Sequence, residues 1–62
     1  MQTIIKSGNR AVIINNQDGH IWANLYVNAR KGDVLDWDIT SQRWTGSTMK
    51  GAERWAAKQL KD

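Results

Sequence analysis

His20-Ile21-Trp22-Ala23-Asn24-Leu25-Tyr26-Val27-Asn28 is the most regularly alternating stretch of the chain. Ile21, Ala23, Leu25 and Val27 alternate with Trp22, Asn24, Tyr26 and Asn28. A period of two marks a strand with unlike faces. One face is aliphatic and belongs against a core. The other mixes aromatic rings with amides. Neighbouring strands must match this pattern in register, because a slip of one residue turns the whole apolar set to water.

Turn-forming residues frame the strand. Gln17-Asp18-Gly19 precedes it and Arg30-Lys31-Gly32-Asp33 follows. Upstream, Thr3–Lys6 and Arg10–Asn15 are β-branched segments separated by Ser7-Gly8-Asn9. Downstream, Val34–Ile39 alternates, Thr40-Ser41 offers a reversal into Gln42–Thr45, and Gly46 ends the sheet region. Centring a hairpin on Thr40-Ser41 predicts Trp37 opposite Trp44 and Asp38 opposite Arg43, both favourable cross-strand pairs. Centring the preceding turn on Lys31 predicts Val27 opposite Leu35, Leu25 opposite Trp37 and Ala23 opposite Ile39. Centring the Asn16–Gly19 loop predicts Ile14 opposite Ile21 and Val12 opposite Ala23. One face then collects Ile4, Val12, Ile14, Ile21, Ala23, Leu25, Val27, Leu35, Trp37, Ile39 and Trp44. The other collects Ile5, Ala11, Ile13, Trp22, Asn24, Tyr26, Asn28, Asp36, Asp38, Arg43 and Thr45.

A helix follows. Ser47 or Thr48 is suited to cap it, and it runs to about Lys61. Met49, Ala52, Ala56 and Leu60 fall within a sector of about 80° at about 100° per residue, so they cover the apolar sheet face. Trp55 borders that sector. Gly51 weakens the first turn by up to about 1 kcal/mol relative to Ala, and a close approach of helix to sheet would account for it. The fold class is therefore α+β: a four- or five-stranded antiparallel β-meander with one C-terminal helix packed on one sheet face, forming a single domain over residues 1–62.

Composition narrows the function. With no cysteine there is no disulfide, and with His20 the only histidine a zinc site is not expected. No hydrophobic run approaches the roughly 18 residues of a membrane span. The start, Met-Gln-Thr-Ile-Ile-Lys, has no signal-peptide pattern, so the expectation is a complete cytoplasmic protein. No cofactor motif is present, and no nucleophile stands with a base, so catalysis is not expected. Ser47 and Thr48 read as caps. Asp36 and Asp38 lack the further oxygen ligands of a calcium loop, and Asp38 has Arg43 as its expected partner.

Two surfaces remain. On the helix, Lys50, Arg54, Lys58 and Lys61 are spaced by four, four and three residues, forming one cationic stripe pointing away from the sheet. Like charges at that spacing repel by roughly 0.2–0.5 kcal/mol per pair, and Lys50 sits where the helix dipole disfavours a cation. Arg30 and Lys31 add a basic spot at a turn tip. On the sheet, no second helix is available to cover the face carrying Trp22, Asn24, Tyr26 and Arg43, and open aromatics with amides suit base stacking or a protein hot spot. A solvated lysine face and simple cross-strand packing are the plainer readings of the same residues. The net charge of +3 permits an acidic partner without demanding one.

Ser47-Thr48-Met49-Lys50-Gly51-Ala52-Glu53-Arg54-Trp55-Ala56 resembles the closing helix of small sheet-plus-helix DNA-binding domains: the CedA-like cell-division modulators, with a similar Ala-x-Arg-Trp-Ala helix, and, in broad layout, the AP2-type and integrase arm-binding domains. In the AP2-type and integrase domains the sheet enters the major groove. The resemblance would make Trp22, Asn24, Tyr26 and Arg43 the contacts here. The chain's size also resembles the small accessory proteins of phages, many of which inhibit a host or defence protein. The expected function is a non-enzymatic basic module contacting nucleic acid through Trp22, Asn24, Tyr26, Arg30, Lys31, Arg43, Lys50, Arg54, Lys58 and Lys61. The alternatives are a phage-type inhibitor docking on an acidic protein surface and a homodimer formed through the open sheet face.

Overall fold

The protein is described by a computed structural model covering Gln2 to Lys61. The strands are β1 (Gln2–Ser7), β2 (Arg10–Gln17), β3 (His20–Val27) and β4 (Asp38–Gly46), followed by helix α1 (Met49–Leu60). They form one antiparallel sheet in the order β1-β2-β3-β4. The α+β meander with a packed C-terminal helix is thus the observed architecture, with four strands.

Turn chemistry sets the register. Gly8 has φ 59, while Asp18 and Gly19 have φ 52 and 82. Each pair of central residues, Gly8-Asn9 and Asp18-Gly19, closes a two-residue hairpin loop, the length at which positive φ matches the strand twist. The tight Asp18-Gly19 loop places Ile14 opposite Ala23 and Val12 opposite Leu25. Each partner lies two residues beyond the predicted one, so the faces are unchanged. On β1 the difference is odd. Ser7 pairs with Arg10, which brings Ile5 rather than Ile4 opposite Val12. Ile5 therefore packs on the helix-side core, whereas Ile4 lies on the opposite face and is 45% exposed.

The helix side is built as its periodicity requires. Val12, Ile14, Ile21, Ala23, Leu25, Ala52 and Ala56 form the buried cluster, with Ile5, Val27, Trp44, Met49, Trp55 and Leu60 around it. Each large aliphatic side chain buried there contributes about 1.5–3 kcal/mol. Thr48 caps α1, its hydroxyl accepting from the Gly51 backbone N–H at 3.2 Å. Gly51 also meets the expected close approach: a Cβ there would lie 2.7 Å from Cζ2 of the Trp44 indole. On β4, a Cβ at Gly46 would lie 2.5 Å from the same ring. The indole therefore fills the space that two absent methyl groups leave.

Between β3 and β4 the structure departs from the sequence reading. Of the predicted strand Val34–Ile39 only Asp38 and Ile39 are paired, as the start of β4, and Thr40-Ser41 is not a hairpin. β4 runs unbroken from Asp38 to Gly46 with a bulge. Asn24 pairs with Arg43 and Tyr26 with Ile39, so Leu25 alone faces Thr40, Ser41 and Gln42. The Thr40 hydroxyl donates to the Leu25 carbonyl at 3.0 Å and accepts from the Gln42 N–H at 3.1 Å, which holds the bulge. Thr-Ser lacks the positive-φ preference that a two-residue hairpin needs, so the strand continues. The predicted pairs Trp37–Trp44, Asp38–Arg43, Leu25–Trp37, Val27–Leu35 and Ala23–Ile39 are accordingly replaced. Asp38 is opposite Val27, and Ala23 is opposite Trp44.

Residues 28–37 fold back over the second sheet face. Asn28 and Gly32 take φ 62 and 102, and Val34–Asp36 form a single 3-10 turn. Val34 and Trp37 are three apart, so that turn aims both the same way. They bury against Ala11 and Ile13, with Tyr26 alongside. The expectation that Trp37 faces the helix and Ile13 faces solvent is therefore corrected: both lie in a second small core on the far side of the sheet.

Candidate functional site

The ten residues singled out from sequence fall into three places. Lys50, Arg54 and Lys58 lie on α1, and Lys61 follows its last turn. Ala52 and Ala56 are buried on the sheet while all four cations are exposed, so the stripe faces outward. α1 has no acidic residue in its first turn to offset Lys50. Among the described residues one ion pair forms, between Arg30 and Asp38, and none reaches the stripe. A further cation borders the helix: Arg10 on β2 donates to the Gln59 carbonyl at 3.1 Å, a favourable place for positive charge.

Arg30 acts as a clamp rather than a free turn-tip cation. Its guanidinium donates to the Asp38 carboxylate at 2.9 Å and to the Asp36 carbonyl at 3.1 Å. The same carboxylate accepts from the Asn28 amide at 2.7 Å, and the Trp37 indole N–H donates to the Arg30 carbonyl at 3.1 Å. Asp38 is thus paired with Arg30 and not with Arg43. Lys31 remains exposed at the tip.

Trp22, Asn24, Tyr26 and Arg43 share the sheet face opposite α1, as predicted. Their environments differ because the loop covers only part of that face. Tyr26 is half-buried against the Val34–Trp37 turn. Asn24 is half-buried, and its amide oxygen is out of solvent with no hydrogen-bond partner among the described residues. Such an orphaned acceptor costs about 1–3 kcal/mol. Trp22 is half-buried beside the His20 ring, centroids 5.4 Å apart and planes tilted by 34°. Arg43 is exposed opposite Asn24.

The stripe and the aromatic face therefore lie on opposite sides of the sheet and cannot close around one contact point. The sequence reading missed two features of the open side. Leu35 and Ile39 are 62% and 59% exposed around the covering loop. Amides crowd the end near the β2–β3 hairpin, for which the run Asn15-Asn16-Gln17 was the available signal. Among the described residues no three His, Asp or Glu side chains cluster as a metal site, and no helix is long and apolar enough to cross a membrane. Comparison with family models, curated proteins and solved structures finds no match.

Proposed function

We propose that this protein is a small non-enzymatic binding module for nucleic acid that holds the phosphate backbone with the outer face of α1. The observation carrying this reading is the stripe itself: four exposed cations in line, with no ion pair among the described residues. Intramolecular partners would lower the repulsion, and phosphates spaced along a strand would do the same from outside. The likeness of Ser47–Ala56 to the closing helix of sheet-plus-helix DNA-binding domains supports the same class. It does not carry over their use of the sheet, because here a loop lies across part of that face.

Reversing Arg54 and Lys58 to Glu tests the proposal. Binding to short DNA should be abolished at moderate salt while the far-ultraviolet circular dichroism is retained. Neutralising one cation at a time should lower the salt slope of log K by about 0.9 per lost duplex phosphate contact. Unchanged DNA affinity in the double variant would return the stripe to ordinary solvated surface.

A second reading is favoured by Leu35, Ile39 and Ile4, which leave apolar area on the side away from the stripe. On that reading the module is an inhibitor or adaptor docking on a larger protein, or a homodimer through the sheet face. Leu35→Asp with Ile39→Asp would then disrupt the complex, or the dimer seen by light scattering, without touching DNA binding.

A further inference from the structure

The hairpin end of the open sheet face holds a cleft of about 490 Å³ lined by Gln2, Asn15, Asn16, Gln17 and Trp22. That volume lies within the range of small-molecule sites, roughly 300–1,000 Å³. Register builds it. Gln2 lies opposite Asn15, and Asn15 opposite Trp22, so three side chains stand in a row across β1, β2 and β3. Gln17, opposite His20, adds the next row on the same face. The 28–37 loop covers Ala11, Ile13 and Tyr26 and stops short of this end.

The lining has a definite chemistry. Among the described residues it presents an indole and, on this face, the carboxamides of Gln2, Asn15 and Gln17, with no charged side chain. These lining side chains offer a lone metal ion, phosphate or carboxylate no counter-charge. Each carboxamide offers two donors and one acceptor, and no side-chain hydrogen bond among the described residues engages Gln2, Asn15 or Gln17. The matching ligand is flat enough to lie on an indole and carries donors and acceptors along its edge. A nucleobase is such a ligand: Asn and Gln pair with base edges, and aromatic side chains stack on base faces. Arg43 stands diagonally from Trp22, since Trp22 faces Thr45 and Asn24 faces Arg43. Diagonal neighbours are about 7–8 Å apart, within reach of an arginine, so the phosphate attached to a bound base has a cation beside it.

We infer that this cleft takes one unpaired nucleobase of a single-stranded nucleic acid, stacked on Trp22 with its edge toward Gln2, Asn15 and Gln17. The inference rests on the nucleic-acid reading but uses the side of the sheet away from α1. A base paired in a duplex has its edge occupied and its faces stacked, so the cleft selects single strands or extruded bases.

The test compares a short oligothymidylate with an abasic oligomer of equal length and phosphate number, using fluorescence anisotropy for affinity and the indole N–H signals of the full protein by NMR. The thymidylate should bind about tenfold tighter, the worth of one base on an aromatic platform. It should shift the Trp22 signal, identified by its loss in Trp22→Phe, and leave the hydrogen-bonded Trp37 signal in place. Trp22→Ala, and separately Asn15→Leu with Gln17→Leu as a variant that keeps the indole, should remove the base-dependent part of the affinity and spare the rest. Equal affinity for the two oligomers, both lost on reversing Arg54 and Lys58, overturns the cleft and leaves the helix reading standing. Binding of neither oligomer overturns both. A Trp22 shift produced by maltohexaose at lower concentration than by thymidylate assigns the cleft to sugars and overturns the nucleobase.

Discussion

The two faces of the sheet are closed by different means. On one, α1 lays Ala52 and Ala56 onto Val12, Ile14, Ala23 and Leu25, and every contributing element repeats with the period of its secondary structure. On the other, a non-repeating loop seats Val34 and Trp37 on Ala11 and Ile13, held by polar bonds centred on Arg30 and Asp38. The first closure is wide and apolar, and the second is small and pinned by exposed groups. Burial of a sheet face therefore need not come from an amphipathic element. A loop suffices where one turn aims two large side chains the same way. It also predicts unequal energetics, with the helix side carrying global stability and the loop side opening locally.

Leu25→Ala should have the largest effect. Leu25 is 6% exposed in the middle of β3, in the helix-side core. The truncation should cost about 2–5 kcal/mol, a large share of the stability of so small a domain. Urea unfolding followed by circular dichroism measures it. A loss below about 1 kcal/mol would mean that α1 does not organise the fold.

Gly51→Ala comes next and has an unusual sign. In an exposed helix position this change gains up to about 1 kcal/mol. Here the added methyl meets the Trp44 indole at 2.7 Å and the Thr48 hydroxyl at 3.0 Å. Overpacking costs about 1–3 kcal/mol, so the melting temperature should fall. Combined with Trp44→Leu, the same Gly51→Ala change should become neutral or stabilising. A rise in the single variant would show that the indole yields freely.

How much of this was legible in the sequence follows from the same contrast. The helix-side core was readable because Ile21, Ala23, Leu25 and Val27 alternate, Met49, Ala52, Ala56 and Leu60 recur at helical spacing, and a two-residue error of register preserves the face. The Gly51 approach was readable from a glycine placed where propensity opposes it. The stripe was readable because it needs only spacing within one helix. The loop was not, because the alternation in Val34–Ile39 imitates a strand, while the decisive facts are the left-handed Asn28 and the Arg30 clamp, both tertiary. The three-residue step from Val34 to Trp37 was the one local signal of a 3-10 turn. Assembling the cleft required the parity of β1, which depends on a two-residue loop at Gly8-Asn9 and cannot be derived from the near-uniform run Thr3-Ile4-Ile5.

Two substitutions on the open side should act at smaller amplitude. Asn24→Leu removes an orphaned acceptor and substitutes an apolar side chain of the same length, so stability should rise by about 1 kcal/mol in thermal unfolding. A fall of that size would mean that the amide oxygen is satisfied by bound solvent. Arg30→Ala should cost no more than about 1 kcal/mol globally, because the Arg30–Asp38 pair is 57% and 46% exposed and screened by water. Its local effect should be larger: the Trp37 indole N–H should exchange with solvent much faster, while amides of β2 and α1 keep their protection. Equal loss of protection on both sides would show that the two closures unfold as one unit, and the distinction between them would fall.

The smallest effect on stability should come from the stripe. Lys50, Arg54 and Lys58 are neighbours at intervals of four on an exposed face. Each like-charge pair costs about 0.2–0.5 kcal/mol at low salt, and among the described residues no ion pair forms with them. Replacing Arg54 alone by Gln removes two repulsive neighbours, so the protein should gain a few tenths of a kcal/mol. That gain should vanish at high salt, where the charges are screened to within a few ångströms. Paired urea titrations at low and high ionic strength measure the difference. A loss on removing Arg54 would show that its aliphatic stem packs on the helix surface and contributes to the fold. A gain confined to low salt would mark the cation as unfavourable to folding, which is the signature expected of a residue retained for what it binds.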